Sequence, residues 1–69
     1  MADRKVVIQG GGKNLFKVTE YSGKFTIYQV DVGLLMNSHN KIGKTSSLED
    51  ALSIIRSFSG KEIKEVSDW

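Results

Sequence analysis

A chain of 69 residues has room for one hydrophobic core only, and the absence of cysteine removes the disulfide staple that small domains often use. With a single histidine, His39, a structural zinc site is disfavoured as well. Ten Lys and Arg against eight Asp and Glu give a net charge of +2, too mild for binding nucleic acid through bulk charge alone, and a core this thin makes a partner chain a natural source of added stability.

The chain opens with charged residues through Lys5, and Val6-Val7-Ile8 is far shorter than the apolar stretch of a secretory leader. Cytoplasmic is the expected compartment. No run could span a bilayer, the longest other apolar one being Leu34-Leu35-Met36. Arg4 to Gln9 is rich in β-branched residues and predicts a first strand, ended by the loop Gly10-Gly11-Gly12-Lys13-Asn14. That loop could present backbone amides to an anion, but no helix follows it, and a flexible connection is the simpler reading.

Leu15 to Tyr21 and Lys24 to Val32 carry Val, Ile, Thr, Phe and Tyr on either side of Ser22-Gly23, which predicts a two-residue hairpin. In that register Tyr21 faces Lys24, Val18 faces Ile27 and Phe16 faces Gln29. Alternation then puts Phe16, Val18, Phe25 and Ile27 on one face. The other face carries Lys17, Thr19, Tyr21, Lys24, Thr26 and Tyr28, with Leu15 and Val30 toward the far end.

Beyond Gly33, the run Leu34-Leu35-Met36 is expected to continue the third strand past a kink. The polar cluster Asn37-Ser38-His39-Asn40 predicts a turn, followed by a short fourth strand near Lys41 to Lys44. Ser46 with Glu49, or Ser47 with Asp50 one residue on, has capping-box spacing. Leu48, Ala51, Leu52, Ile55 and Phe58 then mark one side of a helix expected from about Leu48 to Ser59, with Arg56 in its last turn and Gly60 as its stop. Lys61 to Val66 predicts a charged edge strand, and Trp69 either folds back on the core or stays free. The fold class expected is therefore α+β, one domain over residues 1–69, with a small antiparallel sheet in β-β-β-β-α-β order and the helix packed on one face.

Catalytic chemistry finds no footing in these residues. Gly43-Lys44-Thr45 looks like the end of a phosphate-binding loop, yet Ser38 stands where that loop needs its first glycine. His39 has no sequence-adjacent carboxylate, cysteine or second histidine, so a solvated turn residue is expected there. No base is signalled for any serine. A non-catalytic protein without cofactor or metal is the expectation. The helix entry, Gly43, Thr45, Glu49, Asp50, Ala51 and Leu52, resembles that of two groups: the sheet-plus-helix DNA-binding domains of plant regulators and integrase arms, and small antitoxin domains. Capping accounts for the same residues, and no family is assigned on them.

Two binding surfaces remain as candidates. Consecutive apolar residues cannot all face one core from a strand, so Leu34, Leu35 and Met36, together with Trp69, form the candidate protein interface, a homodimer being one form of it. Lys17, Tyr21, Lys24 and Tyr28 interleave cations with rings and form the candidate nucleic-acid face. Protein association is the leading reading and nucleic-acid binding the alternative.

Overall fold

The computed structural model describes residues 2–10, 14–32 and 37–69. Along them run β1 (Ala2–Ile8), β2 (Leu15–Tyr21), β3 (Lys24–Val32), β4 (Asn37–Thr45), α1 (Leu48–Ser59) and β5 (Ile63–Asp68). The strands form one antiparallel sheet with α1 on one face of it, as the sequence predicts, and their order in the sheet, which the sequence leaves open, is β4-β3-β2-β1-β5.

The hairpin fixes the register of the middle strands. Ser22 and Gly23 both take positive φ, 52° and 75°, the backbone of a tight two-residue turn whose twist matches the strands it joins. Tyr21 then faces Lys24, Val18 faces Ile27 and Phe16 faces Gln29, the register read from the sequence. Because side chains alternate, a slip of one residue would have moved Phe16 and Val18 out of the core, so burial and turn geometry specify the same pairing.

The core is the helix-side set of these strands. Val6, Ile8, Phe16, Val18 and Ile27 from the sheet pack with Ala51 and Ile55 from α1, and Phe25, Ile42, Leu48, Leu52, Ile54 and Ile63 border them. Each fully buried aliphatic or aromatic side chain of this kind is worth about 1.5–3 kcal/mol relative to exposure. Phe58, on the expected core side of the helix, stays 54% exposed and meets the Phe16 ring edge-on at 6.2 Å, because it sits in the last turn near the border of the buried cluster.

Helix α1 starts at Ser47, whose hydroxyl accepts a hydrogen bond from the Asp50 backbone N–H at 3.1 Å. Of the two capping registers the sequence allows, the later one is used. Glu49 and Asp50 lie at the positive end of the helix dipole and Arg56 at the negative end. The left-handed Gly60 (φ 72°) closes the helix with its N–H on the Arg56 carbonyl.

Two sequence expectations are corrected at β4. Asn37-Ser38-His39-Asn40 is strand, not turn, pairing in order with Val32, Asp31, Val30 and Gln29, and β4 therefore runs from Asn37 to Thr45 rather than only near Lys41 to Lys44. These polar residues have weak intrinsic strand preference, but the free edge of β3 offers their backbone a complete ladder, and pairing outweighs local propensity. Ile42 is the extra residue of a bulge opposite the Ile27–Tyr28 step, which brings it onto the core while Gly43 lies beneath Ile54. The expectation for Leu34, Leu35 and Met36 falls outside the described residues.

Candidate functional site: the lysine and aromatic face of the sheet

The face away from α1 is assembled by the same registers that build the core. Across it stand Asp3, Lys5 and Val7 of β1, then Leu15, Lys17, Thr19 and Tyr21 of β2, and Lys24, Thr26, Tyr28 and Val30 of β3. β4 adds His39 opposite Val30, Lys41 opposite Tyr28 and Lys44 opposite Thr26, and β5 adds Glu65 and Ser67 opposite Val7 and Lys5. Among the described residues, Lys5, Lys17, Lys24, Lys41 and Lys44 thus share a face with only two acidic side chains, Asp3 and Glu65. The remaining surface carries the balance of the acidic groups, so a chain of mild net charge has one basic side.

Trp69 gives this face its shape. Its backbone N–H donates to the Asp3 carbonyl at 3.2 Å, extending the β5–β1 ladder by one residue. The indole turns over the sheet. Lys17 Nζ lies 4.8 Å from the ring centroid, and the His39 ring is 6.2 Å away. His39 in turn meets the Tyr28 ring edge-on at 6.2 Å. His39 belongs to β4 and Trp69 follows β5, the two edges of the sheet. Four strand spacings of about 4.8 Å would hold flat edges nearly 20 Å apart, so contact between these rings requires the sheet to curl toward this side. The face is a trough bridged by two rings.

Several groups lie under or beside that bridge. Val30 is buried, outside the cluster beneath α1. Lys17 is only 22% exposed and its ammonium also sits 3.5 Å from Asp3 Oδ2. The other oxygen, Asp3 Oδ1, is buried without a hydrogen-bond partner among the described residues. The cation of Lys17 is therefore already shared between a carboxylate and an indole. Tyr21, Lys24, Lys41 and Lys44 remain exposed.

Of the residues singled out from the sequence, Lys17, Tyr28 and Trp69 come together in this trough, although the sequence places Trp69 on a different candidate surface from the other two. Tyr21 and Lys24 pair at the hairpin end of the same face. His39, expected as a solvated turn residue, is exposed but stands on a strand between two rings. The sequence does not bring His39 to this face because Asn37 to Asn40 carry turn residues, and it does not bring Lys5, Lys41 and Lys44 there because the place of β1 and the register of the strand expected near Lys41 to Lys44 are tertiary facts. With β4 extended as a strand, alternation alone would have placed His39 and Lys41 together.

Among the described residues, no group of three or more His, Asp or Glu side chains is placed to hold a metal ion, and no helix is long and apolar enough to cross a membrane. A shallow groove of about 670 Å³ lies between the β4 edge and α1, lined by Lys44, Thr45, Asp50, Ser53, Ile54, Ser57 and Phe58. Comparison with protein-family models, with curated proteins and with solved structures finds no match.

Proposed function

We propose that the chain is a non-catalytic binding module that holds single-stranded nucleic acid in the lysine and aromatic trough. The observation that supports this most directly is the sorting of charge and rings: Lys5, Lys17, Lys24, Lys41 and Lys44 share one face with Tyr21, Tyr28, His39 and Trp69. Lysines spaced along adjacent strands suit a phosphate backbone, and exposed rings suit unpaired bases, each stacked base being worth about 1–3 kcal/mol. Trp69, 47% exposed, and Tyr21, 66% exposed, are open to stacking. The alternative, association with a protein through Leu34, Leu35, Met36 and Trp69, shares its only described residue, Trp69, with this trough.

Trp69 is the only tryptophan, which makes its emission a direct reporter of the trough. Titration with single-stranded DNA and RNA oligomers is expected to quench it. If about three phosphates are neutralised, a fourfold rise in salt lowers affinity about 20-fold, given a slope of about −0.7 per contact. The double variant Lys24→Glu, Lys41→Glu reverses two exposed cations that take part in no ion pair among the described residues, and it should retain the fold while losing most of the affinity. Unchanged emission with both oligomers at low salt would exclude the proposal, as would equal affinity in the double variant.

A further inference from the structure

Among the described residues, strand β5 is an edge strand, hydrogen-bonded to β1 on one side only. The bond from the Trp69 N–H to the Asp3 carbonyl sets which residues use that side: Trp69, Ser67 and Glu65 point their backbone groups at β1, so Val66 and Asp68 point theirs at the free edge. On the face toward α1 lie Asp68 and Val66, opposite Arg4 and Val6, and Val66 is 42% exposed there. Alternation from Glu65 puts Lys64, the extra residue of the bulge opposite the Val7–Ile8 step, on the same side.

Open edges with hydrogen-bonding groups presented in a row are templates for another strand, and charges on the edge ordinarily discourage this. Here the charges are self-complementary in one register. An antiparallel second copy of β5, related by a two-fold axis at Val66, sets Val66 against Val66, Lys64 of each chain against Asp68 of the other, and Glu65 against Ser67. Other registers are poorer: an axis at Ile63 also joins opposite charges, Glu62 with Lys64, but it falls beside the bulge, draws on Lys61 and Glu62 outside the strand and leaves Val66 uncovered. An axis at Lys64 opposes two ammonium groups, one at Glu65 or Asp68 opposes two carboxylates, and one at Ser67 sets Val66 against Asp68 and leaves Lys64 without a partner. Only the Val66 register pairs the outward-pointing backbone groups, covers an exposed apolar side chain and joins two opposite charges twice.

We infer that the chain forms a symmetric homodimer through β5, joining two five-stranded sheets into one of ten strands. The two-fold axis is perpendicular to the sheet, so both troughs open on the same side and both helices lie on the other. The inference is independent of what the trough binds. It identifies β5, rather than Leu34 to Met36, as the surface of self-association.

Sedimentation mass as a function of concentration, without nucleic acid, tests the dimer and its register together. The unaltered chain should pass from monomer to dimer as concentration rises. Lys64→Asp and Asp68→Lys, each replacing two attractive contacts by two repulsive ones, should raise the dimer dissociation constant about tenfold or more. The double exchange, Lys64→Asp with Asp68→Lys, should restore dimerisation, and an equimolar mixture of the two single variants should form mixed dimers, since their charges complement each other. Far-ultraviolet circular dichroism establishes that each chain retains its fold. A monomer at all concentrations would overturn the inference. So would a dimer indifferent to both single reversals, or reversals that neither exchange nor mixing repairs.

Discussion

Along β2, neighbouring residues enter different environments. Phe16 and Val18 are fully buried beneath α1, whereas Lys17 and Thr19 stay partly exposed on the opposite side. The helix side is held by apolar area removed from water, a non-directional force that scales with the surface covered. The trough side is held by contacts that are individually small: a lysine over an indole, one edge-on and one tilted ring pair, and an ion pair at 3.5 Å. Contacts of that kind can be exchanged for a ligand's at little net expense, whereas an apolar core cannot be opened without unfolding. Stability thus resides mainly on the helix side, and the proposed function places recognition on the other.

The largest expected effect lies on the helix side. Phe16→Ala removes a fully buried ring that touches Phe58 and lies within the central cluster, and should lower stability by about 3–5 kcal/mol. Because small domains have about 5–15 kcal/mol in total, much of the protein would lose its fold at modest urea concentration. Denaturant unfolding followed by circular dichroism measures the loss. A change below about 1 kcal/mol would show that the side beneath α1 is not the main source of stability.

Trp69→Ala provides the contrast. The indole is larger than the phenyl ring of Phe16, but it is 47% exposed and its main described partners are the Lys17 ammonium and the His39 ring. An exposed cation–π contact is worth about 0.5–1 kcal/mol, and the loss of partial burial adds a similar amount. The expected destabilisation is therefore about 1–2 kcal/mol, well below that of Phe16→Ala, and the same unfolding experiment decides it. Equal losses at the two positions would mean that the trough is a second core, and its reading as a recognition surface would fail.

How much of this contrast was legible in the sequence depends on how local its cause is. The separation of Phe16, Val18, Phe25 and Ile27 from Lys17, Thr19, Thr26 and Tyr28 follows from alternation and a two-residue turn, both contained within sixteen consecutive residues, 15–30, where a short-range rule suffices. The helix was equally legible because cap, apolar spacing and terminal glycine all agree, and only the choice between Ser46 and Ser47 needed the structure. The first half of β4 is not legible because Asn37 to Asn40 are turn residues, and their pairing with β3 is a tertiary fact. The strand order and the approach of Trp69 to His39 were also hidden. Both depend on which edges meet and how far the sheet curls, and neither leaves a periodic mark on the sequence.

The smallest expected effect tests the helix side from within. Gly43 lies in β4 below α1, and its φ is outside the left-handed region that would require glycine. A Cβ placed there would meet Ile54 Cδ1 and Cγ2 at 3.5 Å and Ile27 Cδ1 at 3.8 Å, which are ordinary packing distances. Glycine in a strand interior loses more freedom on folding than alanine and contributes no side chain to the core. Gly43→Ala should therefore stabilise the protein by about 0.5–1 kcal/mol, seen as a higher unfolding midpoint with an unchanged denaturant slope. The trough should be unaffected, since a methyl group at position 43 points away from it. A lower midpoint would mean that β4 and α1 are packed too closely to admit one carbon atom. In that case the bulge at Ile42, which sets how Gly43 approaches the helix, would be the constraint that requires glycine.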